Sequence, residues 1–110
     1  MQLKLCKNKP FLKTKGFSTF HIEIFNQILL DKTNRRISIE FGYTIQSHSV
    51  VDHSRRVMYK LLALEGLSRA DHYSHLKYPR KYLFWWKNLL DKNRDKLYAC
   101  AKEPKFYIED

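Results

Sequence analysis

Residues 20–46, FHIEIFNQILLDKTNRRISIEFGYTIQ, decide how this chain is read. Ile37, Ile39, Phe41, Tyr43 and Ile45 alternate with Ser38, Glu40, Gly42, Thr44 and Gln46. A period of two with one apolar and one polar face is the pattern of a half-buried strand. Upstream, Phe20, Ile22, Ile24, Ile28 and Leu30 also share one parity, broken only at Asn26. A helix through Ile24 and Ile28 competes with that reading, but β-branching and parity favour a strand. Asp31 to Asn34, DKTN, is a polar stretch able to turn the chain. The segment therefore reads as a β-hairpin with long arms. Leu3 and Leu5 suggest a third strand, and Lys105 to Ile108 after Pro104 a fourth.

Beyond residue 48 the period changes. Ser49-Val-Val-Asp52 has the form of a capping box. Val50, Val57, Leu61 and Leu64, joined by Met58 and Leu62, then share a helical face. Gly66 suits the C′ position, with Leu67 as the apolar contact beyond it. Ser68-Arg-Ala-Asp71 repeats the capping pattern and predicts a short helix to about Lys77. Tyr78 precedes Pro79, which disfavours helical geometry there, and Pro79 can open a third helix. Tyr82, Trp86, Leu89, Leu90 and Leu97 form its stripe to about Lys102, with a bend or split expected at Asn93 and Arg94. The expected fold is a single compact α+β domain over residues 1–110. It is an antiparallel β-hairpin, three to four strands in all and mostly N-terminal, packed against two or three C-terminal helices.

Composition narrows the function. The 110 residues carry a net charge of +10 with 44% hydrophobic residues, too apolar for a disordered basic tail. No apolar run approaches the ~20 residues needed to span a bilayer, and no membrane association is expected. The first residues lack a secretory apolar core and read as a strand rather than a transit peptide. Cys6 and Cys100, far apart, read as free thiols of a cytoplasmic protein. Three glycines leave no phosphate-binding loop, and no CxxC or HExxH pattern is present, so no cofactor or metal site is expected.

The charge is concentrated in two places. Lys4, Lys7, Lys9, Lys13 and Lys15 precede any acid; being all Lys, they favour nonspecific attraction over bidentate recognition. Lys77 to Lys87, KYPRKYLFWWK, mixes four cations with five aromatics and no acid. Phosphates attract the cations, and unstacked bases lie on aromatic faces. Within it Lys77, Tyr78, Arg80, Lys81, Trp85 and Lys87 are the candidate contacts, Trp85 because it lies about a quarter-turn off the apolar stripe. Arg35 and Arg36 at the hairpin turn, with Arg55 and Arg56 early in the first helix, extend the list.

The first expectation is a small protein that binds RNA or DNA through the phosphate backbone. The alternative is a module that docks on an acidic face of a larger protein and inhibits it. The Lys, Asn, Ile and Tyr bias is similar in composition to small proteins of phages and mobile elements, which suits such an inhibitor. A third reading is a metal-independent ribonuclease using His72, His75, Tyr73 and Arg80, since imidazole titrates near neutral pH. The open edge of the hairpin would also invite a second copy of the chain.

Overall fold

A computed structural model describes residues 18–101, together with the backbone alone of Gln2–Leu5 and Phe106–Glu109. The 18–101 stretch is 76% helical with no sheet, so the protein is helical and not a β-hairpin packed on helices. Its elements are α1 (Thr19–Leu29), α2 (Asn34–Glu40), α3 (Val50–Glu65), α4 (Tyr73–Lys77) and α5 (Leu83–Cys100). Short 3-10 turns at Ser47–Ser49 and Pro79–Tyr82 lead into α3 and α5. The backbone of Gln2–Leu5 (β1) pairs antiparallel with Phe106–Glu109 (β2), Leu3 opposite Ile108. The third and fourth expected strands fall on these two segments.

The expected hairpin is two helices because its parity is ambiguous. Residues four apart share a parity as well as a helical face. Phe20, Ile24 and Ile28 are such a set, and they are buried with Ile37, Ile45 and Val50. The odd-numbered Phe25 decides against a strand. It is fully buried beside Ile22 in a second cluster with Val57, Leu61, Trp86 and Leu90, while Leu30, on the supposed inner face, is 65% exposed. Likewise Ile37 is buried and Phe41, four residues on, packs against the same cluster, but Ile39 and Tyr43 face solvent.

The DKTN stretch ends one helix and starts another. Asp31 takes a left-handed conformation, φ 59°; its N–H bonds Ile28 O at 2.8 Å, and Lys32 N–H reaches Gln27 O. Thr33 then caps α2, its Oγ1 accepting from Arg36 N–H at 3.1 Å. Gly42, φ 63°, closes α2 by the same paired pattern: its N–H bonds Ile39 O, and Tyr43 N–H bonds Ser38 O. The buried Ser38 hydroxyl donates to Ile45 O at 2.7 Å, securing the returning chain.

The second half follows its expected outline. α3 ends at Gly66, φ 71°, with Leu67 N–H on Leu62 O at 2.8 Å and the Leu67 side chain against the core. Three details differ. Ser49 makes no side-chain cap, because it already lies in the 3-10 turn rather than in extended N-cap geometry. Ser68 Oγ does accept from Asp71 N–H, but it closes a turn, and α4 begins only at Tyr73. α5 runs unbroken through Asn93, which is buried and donates to Leu89 O at 3.0 Å and Glu65 Oε1 at 2.9 Å. The apparent gap in the stripe is thus a tether to the end of α3. α1, α3 and α5 pack on one another, with α2 against α1 and α3.

Candidate nucleic-acid interface

No carboxylate occurs between Asp71 and Asp91. In the middle of that interval Tyr78 leaves the helical region, φ −123° and ψ 62°, ahead of Pro79. The chain then makes one 3-10 turn before α5. This offset sets Lys77, Tyr78, Pro79, Arg80 and Lys81 around a cavity of ≈350 Å³, completed by Asn34 of α2 and Val51 of α3. The lining is mostly apolar.

Among the described residues, Lys77 and Lys81 pair with no carboxylate. They lie instead against aromatic rings. Lys77 Nζ is 5.7 Å from the Tyr73 ring centroid and 5.4 Å from that of Tyr78, and Lys81 Nζ is 6.0 Å from that of Tyr82. Tyr73, Tyr78 and Phe84 are 62%, 52% and 77% exposed. Arg80 is held: one guanidinium nitrogen donates to Asn34 Oδ1 at 2.6 Å and the other lies 3.9 Å from Asp31. It serves the geometry of the site, joining the α1–α2 turn to the start of α5.

Behind this surface Trp85 is half-buried rather than presented to solvent. The His72 ring stacks on it at 5.0 Å between centroids, and His75 lies 4.1 Å from it and 4.3 Å from Tyr82. Trp86 Nε1 donates to His75 O at 3.0 Å, and the Trp86 ring meets Phe25 edge-on in the core. α4 is therefore fastened to α5 by aromatic contact and one hydrogen bond. Burial, then His72 beside it, holds the His75 imidazole below its ordinary pKa. The Nδ1 atoms of His72 and His75 are both buried without a hydrogen-bond partner among the described residues. The histidines raised as ribonuclease candidates are thus packed against an indole, with Tyr73 exposed nearby.

The remaining candidates are dispersed. Lys87 lines a separate cavity of ≈270 Å³ with Leu29, Leu30 and Arg94, between α1 and α5. Arg35 and Arg36 lie on α2, not at a hairpin tip, because residues 31–34 end one helix and start the next. Arg36 bonds Glu40 at 3.0 Å, and Arg55 bonds Asp52 at 2.7 Å. Arg56 lies beside His21 and His53 at the α1–α3 contact. Lys4 is on β1, of which only the backbone is described; Lys7, Lys9, Lys13 and Lys15 lie outside the described residues, as does Cys6. Cys100 is an exposed free thiol. The edge strand on which self-association was expected is helix.

Asn34, Val51 and Phe84 escaped the sequence reading. Asn34 and Val51 reach the cavity from other elements and carry no local signal. Phe84 had one: it lies nearly opposite Tyr82 and Trp86 around the helix. Among the described residues no three His, Cys, Asp or Glu side chains gather as metal ligands, and no helix is long and apolar enough to cross a membrane. Comparison with family models, curated proteins and solved structures found no match to this chain.

Proposed function

We propose that the protein binds single-stranded nucleic acid through the surface formed by α4, the Tyr78–Pro79 break and the start of α5. One observation carries the reading. Lys77 and Lys81 are unpaired with acid among the described residues; Lys77 stands by the exposed rings of Tyr73 and Tyr78, Lys81 by the half-buried ring of Tyr82, and Phe84 on α5 is exposed. Cations without carboxylate neighbours attract a phosphate backbone. Exposed aromatic faces stack on bases that a duplex would keep paired. The net charge of +10 adds a long-range attraction for an anionic strand.

Titration of a labelled oligothymidylate at increasing salt tests the reading. Affinity is expected to fall linearly on a log–log plot, with a slope of ~0.7 per phosphate contact. Absence of binding at low salt overturns it. A stable protein partner recovered from nuclease-treated lysate, with no oligonucleotide binding, would favour docking on an acidic protein face instead.

A further inference from the structure

Resting on that reading, we infer that the cavity between α2, α3 and the Tyr78–Pro79 break seats a single nucleotide of the bound strand, its base inside and its phosphates on the rim. The volume, ≈350 Å³, is at the low end of the ~300–1,000 Å³ of small-ligand sites. It suits one nucleotide rather than a run of stacked bases. Val51, Pro79 and Tyr78 supply an apolar lining for a base. Lys77 and Lys81 stand at the same cavity without a carboxylate partner among the described residues, which fits a ligand with an apolar face and a charged phosphodiester edge.

The polar wall is built for orientation. Asn34 Oδ1 accepts the 2.6 Å hydrogen bond from Arg80. This engages the amide oxygen and leaves the Nδ2 hydrogens to donate to an acceptor on the base edge. Arg80, which also lies 3.9 Å from Asp31, ties that wall to the chain just after the break. The seat draws on three stretches of chain, residues 34, 51 and 77–81, so its geometry depends on the packed fold.

The test compares oligothymidylate with an abasic oligomer of equal length, using the full chain. If a base is seated, wild type binds oligothymidylate roughly tenfold or more tightly than the abasic strand, as loss of one stacked base would imply. Val51→Phe, which fills the cavity, is expected to remove most of that preference for oligothymidylate over the abasic strand. Equal wild-type affinity for the two strands, with steep salt dependence retained, overturns the seat and the base-stacking part of that reading and leaves only the phosphate-backbone contacts standing. Failure of both strands to bind overturns both. A helical Val51→Phe protein that still prefers oligothymidylate also overturns the seat. Should that variant not fold, Val51→Met takes its place, with the same expected and overturning outcomes.

Discussion

The surface of α2 and the break at Tyr78–Pro79 carry similar cations to different ends. On α2, Glu40 accepts from Lys32 at 2.9 Å and from Arg36 at 3.0 Å, and those two hydrogen bonds are what chiefly hold its carboxyl below the usual range. Arg55, at the start of α3, is matched by Asp52. At the break, Lys77 and Lys81 have aromatic neighbours where the others have carboxylates. The positions of the acids, more than the count of bases, therefore decide where a phosphate chain would be held. The net charge of +10 acts at long range and selects no surface by itself.

The comparison would break most visibly under charge reversal at the unpaired site. Lys77→Glu with Lys81→Glu is expected to weaken oligonucleotide binding roughly a hundredfold and to flatten the salt slope by about 1.4, ~0.7 per lost phosphate contact. Fluorescence anisotropy across a salt series measures both. Undiminished affinity would move the interface elsewhere.

Acidification separates the two histidine pairs. His21 is buried at the α1–α3 contact and held neutral, its pKa pushed down to about 4 by burial, then by Arg56 and His53. Burial, then Arg56, also lowers that of His53. The unfolded chain takes up these protons near the ordinary value of ~6.5, and the folded chain resists them. Stability from His21 is therefore fully present above that value and is lost as pH falls toward 4. Urea melts at neutral pH and near pH 4 are expected to differ by about 2–3 kcal/mol on this account. His21→Gln is expected to remove much of the slope, whereas Tyr73→Ala leaves it unchanged.

Smaller effects sharpen the contrast. Tyr78→Ala is expected to cost about 1–2 kcal/mol of oligonucleotide binding, the range of a lost stacking platform, while the helical circular dichroism signal is retained. Arg36→Glu, on the matched surface, is expected to change affinity less than about threefold, because exposed ion pairs and rim charges contribute little. A loss as large as that of the Lys77 and Lys81 reversal would erase the distinction between the two surfaces.

The same local cues were informative in one half of the chain and misleading in the other. Gly66, the Tyr78–Pro79 pair and the stripe through Trp86, Leu90 and Leu97 mark features that short-range sterics impose. They could be placed without knowledge of what packs where. In residues 20–45 the cues conflicted. The spacing of Phe20, Ile24 and Ile28 satisfies both a strand and a helix, and β-branched residues tipped the reading toward strand. Two signals for helix were present: Phe25 on the wrong parity, and Gly42 as a left-handed terminator within an otherwise alternating run. The basic-aromatic segment was legible as a whole, since composition alone singles it out. Its division into a rim at Lys77 and Lys81 without a carboxylate partner among the described residues, a held Arg80, a half-buried Trp85 and a distant Lys87 was not.

By itself the sequence determined the concentration of charge, the ends of α3 and the position of the break, because these depend on composition and on backbone sterics within a few residues. Tertiary structure decided that residues 20–40 form two helices and not strands, since Phe25 and Ile28 can both be buried only when α1 packs between two clusters. It also decided the cavity. Asn34 and Val51 meet Lys77, Tyr78 and Pro79 there only after α2 and α3 have packed, and a contact between residues more than 25 positions apart leaves no trace in the periodicity of either segment.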